Sequence, residues 1–515
     1  MKAHLLLIFA LKIICNVGGY EVLVVFPSPV PSHYILGNAL ARGLANAGHS
    51  VTMVSPYEEK DPPKNGSYKD VVLTGIFDMM RELNPPQWME FGAMNPVEII
   101  YRTHAPGHAT TNFTLRHPNF QKLLNSGQNF DVIILEQFVN DALKALGCHF
   151  NAPVIPLSTC TPSMWVNLPA GNPEVPSYMP DLYQDFPTKM NIWQRGMNSL
   201  FIVARRILND FVFLPVQEEF VNEHFPHCAK GREFYYNVSL TLVNHHETIN
   251  GARPFVPSMV AIAGFHLNPP KKLPNEMQTF LDEAKEGVIY FSLGTNVNPS
   301  SLGNATVEAI VSALEKRKEK VLWKWDDTAF SSKPANFKVG KWFSQQDILA
   351  HPNVKLFITH AGLLSLQEAV YNAVPVLTLP VFADQFRNGI LMEENGMGLN
   401  LPIRTVTEPA LADKIERIIS DSKYKETMRK RSKLFRSRPV NPLDLAIFWV
   451  EHVAEHKGAP HLRVDYLNYE WYKILLLDVI ALFSTIALIA AVIAYFVLRR
   501  LLKMLLGSNE KVKRQ

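Results

Sequence analysis

Val479 to Leu498 is a run of twenty residues without a charged side chain, and it constrains this chain more than any other feature. At about 1.5 Å per residue a helix of that length spans about 30 Å, the thickness of a bilayer's hydrocarbon core. Trp471 and Tyr472 precede it as interfacial anchors, and Arg499, Arg500 and Lys503 follow directly. Basic flanks stay cytoplasmic, so the large body before the run is expected to fold on the lumenal or exterior side. A buried core helix is the competing reading.

The other end agrees. Leu5 to Cys15 is an apolar run interrupted only by Lys12, with Val17 and Gly19 placed for cleavage after Gly19, which reads as a signal peptide. A buried first strand or an N-terminal anchor is the alternative, but a second apolar strand, EVLVVF, begins at once. Asn65, Asn112, Asn237 and Asn304 head glycosylation sequons in the deduced lumenal part. Lys511 and Lys513 stand five and three places from the C-terminus, like the dilysine signal that returns type I membrane proteins to the endoplasmic reticulum. The expected location is therefore the endoplasmic reticulum membrane, single-pass type I, with a lumenal body.

Charge and cysteine usage remove other classes. Of the formal net charge of +4, the tail from Arg499 carries +5 and Lys2 and Lys12 carry +2, so the remainder is −3. A slightly acidic body has no electrostatic footprint for nucleic acid. Once Cys15 leaves with the signal, Cys148, Cys160 and Cys228 remain, enough for one bridge at most and without CxxC spacing. His104 and His108 are four apart, but Pro106 and Gly107 between them argue against one helical face, so no metal site is expected.

The body reads as two βα series. Glu21 to Phe26 suits a strand covered on both faces, and the proline-stiffened loop Pro27 to His33 follows it. Ile35, Leu36, Ala39, Leu40, Leu44 and Ala47 recur at helical spacing, and Val51 to Val54 is the next strand. Val132 to Leu135 and Val154 to Leu157 repeat the buried-strand pattern. A second series has strands at Val288 to Leu293, Val321 to Trp325, Val354 to Ile358 and Pro375 to Leu379, with helices at Thr306 to Lys318 and about Leu364 to Tyr371. Two such series predict two doubly wound α/β domains with sites at the carboxyl ends of their strands. Asn441 and Pro442 open a later helix running to about Glu455.

The densest chemistry lies between Trp342 and Gln385. After the strand ending at Ile358 the chain turns through Thr359-His360-Ala361-Gly362 into a helix, whose free N–H groups and positive dipole end suit a phosphate. Glu368 is placed to accept from ribose hydroxyls. Asp384 offers an acceptor-only carboxylate, and Gln385 an amide that donates and accepts, a pair suited to a sugar. Trp342 offers an indole for stacking on a planar base.

Phe357 to Gln385, FITHAGLLSLQEAVYNAVPVLTLPVFADQ, resembles the signature of the UDP-glycosyltransferases. EGVIYFSLGTNV, VLWKW and KWFSQQDILAHPNVKLFITH extend the likeness upstream, and VNHHETINGARPFVP is similar to insect members. The resemblance implies a GT-B fold, two Rossmann-like domains facing across a cleft, plus a C-terminal transmembrane helix. It implies that Trp342 stacks on uracil with Gln345 beside the nucleoside, and that Glu368 holds the ribose. Ser292, Thr295, His360, Gly362, Ser365 and the backbone N–H of Leu364 would surround the diphosphate, with Asp384 and Gln385 on the sugar hydroxyls. His33 matches the catalytic histidine, and Glu136 stands where vertebrate members carry its aspartate partner, with Asp141 as the fallback. The family commonly has glycine at the position of Ala361 and proline at that of Ser344.

The expected boundaries are a signal peptide (1–19), an acceptor-binding domain (20–266), a linker (267–285), a UDP-sugar-binding domain (286–440), a helical segment (441–472), a transmembrane helix (473–498) and a basic tail (499–515). The expected activity is inverting transfer of a hexose, glucose above others, from a UDP-sugar co-substrate to a small lipophilic acceptor. Neither a cofactor nor a metal is expected. Self-association is left open. Met79, Met80, Trp88, Met89, Phe91 and Met94 suggest an adaptable apolar acceptor pocket. A catalytically silent sugar-nucleotide or lipophile binder is the rival reading.

Overall fold

The structure, a computed structural model, describes residues 19–83, 94–295, 302–325 and 334–512. The signal-like run before Gly19, Trp88, Met89, Phe91 and Lys513 lie outside them. The chain divides into two units, Met1–Arg463 and Val464–Gln515.

The first unit is built on two sheets. β1 (Glu21–Val25), β2 (Ser50–Ser55), β3 (Ser67–Val72), β4 (Val132–Glu136), β5 (Val154–Ser158), β6 (Thr241–Val243) and β7 (Met259–Ala261) are ordered β3-β2-β1-β4-β5-β6-β7. β8 (Val288–Ser292), β9 (Lys320–Lys324), β10 (Phe337–Gly340), β11 (Val354–Thr359), β12 (Val376–Thr378) and β13 (Gly398–Asn400) are ordered β10-β9-β8-β11-β12-β13. Their pairings are parallel.

Strands buried on both faces alternate between two cores. In β1, Leu23 and Val25 enter one core with Ile133 and Leu135 of β4, whereas Val22 and Val24 enter the opposite one with Val132 and Ile134. In β8, Ile289 and Phe291 face one side, Val288 and Tyr290 the other. Winding reverses at β1 and at β8, each flanked by strands built later in opposite directions. Such reversals open a crevice at the carboxyl ends of the strands.

Nine helices serve the description. α1 (Pro31–Asn46) follows β1, and α2 (Pro96–Arg116) and α3 (Ile192–Leu208) lie within the first series, α3 continuing as a π turn through Phe213. α4 (Asn275–Asp282) lies in the stretch read as a linker, and its Met277 and Leu281 belong to a core of the second sheet. α5 (Gln345–Leu349), α6 (Leu363–Tyr371) and α7 (Asp384–Glu394) carry the second series. α8 (Pro442–Glu455) is capped by Asn441, which accepts from Leu443 N–H at 2.9 Å. It returns to the first sheet, where Leu443, Ala446, Val450 and Val453 join the core of Leu36, Leu40 and Leu44 from α1. The second unit is dominated by α9 (Leu477–Val512). Its Leu477–Met504 stretch, which holds an eighteen-residue segment of mean hydropathy 2.5, is long and apolar enough to cross a membrane.

One local expectation fails. His104 and His108 share α2 with Pro106 inside it, although an interior proline costs about 3 kcal/mol. Tertiary packing outweighs that cost: Ile100, His104, Thr110, Thr111, Thr114 and Leu115 are all buried along the helix. The two imidazole rings stand edge to face with centroids 6.1 Å apart. His104 stacks on Phe213 with centroids 3.7 Å apart, and its Nδ1 donates to the Ile100 carbonyl at 2.8 Å.

Cys148 and Cys228 are joined by a disulfide that closes 80 residues of chain, and Cys160 is free. Closing a loop of that size removes unfolded-state entropy worth about 4 kcal/mol. Replacing both bridged cysteines by serine is expected to lower unfolding stability by about 2–4 kcal/mol in denaturant titrations. An unchanged midpoint would show that the bridge contributes nothing.

Candidate active site

The carboxyl ends of β1 and β5 in one sheet and of β8, β11 and β12 in the other open onto a single cavity of about 1020 Å³.

On the first sheet's side, His33 lies in the first turn of α1, just past Pro31. Glu136 ends β4 and is 1% exposed. One of its oxygens accepts the Ser28 N–H at 3.1 Å, and the other is hydrogen-bonded to Nδ1 of His33. A carboxylate only accepts, so Nδ1 carries the proton and Nε2 is left as an acceptor. Nε2 lies 3.3 Å from the Thr159 hydroxyl, and Phe138 sets its ring edge-on at 4.8 Å. Asp141 is engaged elsewhere, accepting from Lys144 at 2.7 Å and Gln137 at 3.0 Å.

On the second sheet's side, α6 starts with Gly362 at the N-cap and no side-chain cap. Its first-turn N–H groups belong to residues lining the cavity, Leu363, Leu364 and Ser365 among them, so they are available to an anion. His360 ends the strand beside them. Burial first, and Lys324 second, push its imidazole down to about 4, so it is neutral and donates from one nitrogen. Gly294 and Gly362 close around that ring: a Cβ on either would sit 2.5–2.6 Å from ring atoms. Ala361 has φ +68°, which is why glycine suits the position and why an alanine methyl is strained there.

Ser292 and Thr295 line the same cavity at the end of β8. Trp342 stands 67% exposed on its rim with Lys324 Nζ 4.7 Å from the ring centroid. Ser344 precedes α5 and its hydroxyl donates to Asp347. Gln345 donates to Ser365 Oγ at 3.0 Å and to Glu368, and accepts from the Tyr290 hydroxyl at 3.2 Å. Burial pushes the Glu368 carboxyl up to about 7 and the Asp384 carboxyl up to about 6. Asn388 donates to Asp384 at 2.9 Å, and His33 acts on it electrostatically from the other half.

Gln385 departs from its expected double role. Its Oε1 accepts from the N–H groups of Val381 at 2.9 Å and Phe382 at 3.2 Å, so the donors of the amide are what it offers the cavity. Of the methionine-rich set, Met80 lines the cavity while Met79 and Met94 do not. Asn65, Asn237 and Asn304 are exposed, whereas Asn112 is half-buried on α2 and accepts from Arg116 at 2.9 Å.

Thr159, Phe138, Tyr290 and Lys324 were not singled out from sequence. Thr159 follows β5 directly, and position at the end of a buried strand beside β4 was the signal that would have found it. It also belongs to a buried chain of hydrogen bonds between the halves. Its carbonyl accepts from Asn244 at 3.0 Å, and Asn244 accepts from Gln367 of α6 at 2.7 Å.

A family model described as UDP-glucoronosyl and UDP-glucosyl transferase matches residues 114–512. UDP-glycosyltransferase UGT5 of Dactylopius coccus is 34% identical over 516 residues, covering 96% of this chain and 95% of that one. UDP-glucosyltransferase 2 of the same organism is 31% identical over 531 residues and 100% of both chains. The crystal structure of CalG4, the calicheamicin glycosyltransferase, matches with a TM-score of 0.58 at 17% identity, over 84% of this chain and 98% of its own. That likeness is one of fold, the two facing parallel sheets of the GT-B type.

Asp384 generates a pH prediction. Its carboxyl ordinarily titrates near 3.8 and is raised to about 6 here, so the folded chain keeps the proton longer than the unfolded one. Stability of the empty protein therefore falls as pH rises from about 4 to about 6, and stays lowered above that. Asp384→Asn is expected to melt higher than the parent at pH 7.5, by the equivalent of about 1–3 kcal/mol, and to converge with it near pH 4. Superimposable melting curves at both pH values would overturn this assignment.

Proposed function

The chain belongs to the UDP-glycosyltransferase family, and on that premise we propose that it transfers glucose from UDP-glucose to a hydroxyl of a small lipophilic acceptor, with inversion at the anomeric carbon. The observation that carries this reading is the placement of His33 Nε2, backed by Glu136, in the same cavity as Asp384 and the open N-terminus of α6. The acceptor oxygen attacks the anomeric carbon while its proton passes to Nε2, and the bond from that carbon to the β-phosphate oxygen breaks. Glu136 stabilises the imidazolium that forms. The first-turn N–H groups of α6, neutral His360, Ser292, Thr295 and Ser365 receive the charge left on UDP. This arrangement stabilises the leaving group without calling on a metal ion.

Trp342 takes the uracil on its exposed indole, Gln345 lies beside the nucleoside and Glu368 accepts from the ribose. Asp384 accepts from, and the Gln385 amide donates to, the sugar hydroxyls. Glucose is favoured by the relative named a glucosyltransferase that matches from end to end.

Two variants separate the halves of the mechanism. His33→Ala is expected to lower turnover of a phenolic acceptor roughly 10²–10⁴-fold and leave UDP affinity unchanged by calorimetry. Trp342→Ala is expected to weaken UDP binding by about 1–3 kcal/mol. Wild-type turnover in the first would refute the general base, and normal UDP binding in the second would refute the donor site.

The apolar stretch Leu477–Met504 supports a single-pass anchor. The proposal sets it in the endoplasmic reticulum membrane with the body lumenal, glycosylated at one or more of Asn65, Asn237 and Asn304, and with Lys511 and Lys513 in the cytoplasmic retrieval tail. Protease added to sealed microsomes is expected to spare the body. Its digestion there would sink this topology.

A further inference from the structure

The C-terminal end of α8 gathers three imidazoles that the catalytic site does not use. His452 lies in the last turn, and His456 follows one turn on, its N–H donating to the His452 carbonyl at 3.1 Å. Lys457 and Gly458 then take φ of +52° and +125° and turn the chain back, with the Gly458 N–H donating to the Val453 carbonyl at 2.9 Å. The short 3-10 helix Pro460–Leu462 sets His461 beside His452. Ring centroids lie 4.5 Å apart for His452 and His456, and 5.6 Å apart for His452 and His461. None of the three lines the catalytic cavity.

We propose that His452, His456 and His461 bind one divalent cation of the zinc class, each through a ring nitrogen. Imidazole is a donor that zinc, copper and nickel share, and histidines four apart on one helical face reach a single ion. Three observations add to the spacing. Nε2 of His452 is shielded from solvent and has no hydrogen-bond partner among the described residues, a state that a ligand relieves. The backbone beneath the set is fixed: Ala454 and Ala459 belong to the core around α1, Leu462 packs against it, and Arg463 donates to the Tyr236 carbonyl at 3.0 Å. The local charge also favours a cation. The last carbonyls of a helix form its negative dipole end, Glu455 acts electrostatically on His452, and Lys457 is drawn away to Asp131 at 2.9 Å.

Trp449 and Phe448 hold the His452 ring, with centroids 5.3 Å and 6.1 Å away. His456 and His461 are exposed, and each meets His452 rather than the other. Rotation about their own side-chain bonds completes the set around the fixed ring and leaves the fourth tetrahedral position to water. Cys148, His227 and Cys228 also stand close together, but both sulfurs are tied up in the disulfide. A cation held by the three imidazoles staples the end of α8 to the turn that leaves the catalytic body at Arg463.

The test uses the full, untagged chain in detergent micelles, stripped by a chelator, with Zn²⁺ followed by calorimetry and Co²⁺ by its visible absorption. One equivalent of Co²⁺ is expected to give the intense band of a four-coordinate site and to be displaced by Zn²⁺. His461→Ala, at an exposed position that leaves the core untouched, is expected to weaken Zn²⁺ binding by at least the roughly 10–100-fold that loss of a partner behind a ligand costs. His452→Ala and His456→Ala are expected to do the same, and His227→Ala to bind as the parent does. Zn²⁺ is also expected to slow tryptic cleavage after Lys457 and Arg463 in the parent but not in His461→Ala. A parent that takes up neither ion overturns the proposal. So does binding that survives all three substitutions or is lost with His227→Ala, because the ion then sits elsewhere. Weakening by His452→Ala and His456→Ala alone overturns the three-ligand site and leaves only a helical pair.

Discussion

The side-chain amide of Gln367 fixes the two halves of the catalytic body to each other. It stands on α6, the helix whose open N-terminus faces the cavity, yet both of its ends bond to the other half. Its nitrogen donates to Asn244 at 2.7 Å and its oxygen accepts the Gly264 N–H at 3.0 Å. Asn244 holds the Thr159 carbonyl, and the Thr159 hydroxyl faces Nε2 of His33. Every member is buried, and leaving one buried polar group unsatisfied costs about 1–3 kcal/mol. The spacing between the helix end and the imidazole is thus held by directional bonds as well as by apolar packing. Thr188 adds a second tie near the rim, donating to Glu394 of α7 at 2.7 Å and accepting from Arg387 at 2.7 Å.

Within that frame two carboxyls stand where charge is unfavourable. Glu368 and Asp384 are both lifted by burial, so ionising them costs free energy. Hydroxyl donors relieve that cost, and a polyhydroxylated ligand supplies them. His360, lowered by the same burial, adds a dipole without adding a charge.

Much of this was legible because parallel strands announce themselves. Val132 to Leu135 and Val288 to Phe291 are apolar without interruption, the pattern of a short strand covered on both faces. Site residues such as His33, Glu136 and His360 stand just after or at the end of such strands, where the winding rule already directs attention. What stayed hidden depended on contacts from far along the chain. β6 and β7 have three residues each, too few for a period to show. The polar cargo of Asn244 and Gln367 has no local signature, because each is explained by a partner more than a hundred residues away. Pro106 misled for the same reason: a local cost of about 3 kcal/mol decides a peptide, not a helix whose flank is already buried.

The return of α8 to the first sheet changes how the body can move. The chain enters the donor-binding half once, between β7 at Ala261 and α4 at Asn275, and leaves it once, between Arg436 and Pro442. Two crossings tie the donor half at both of its ends, so it cannot drift away even where the Gln367 bonds open, and tension on the chain at Arg463 is borne by the core around α1.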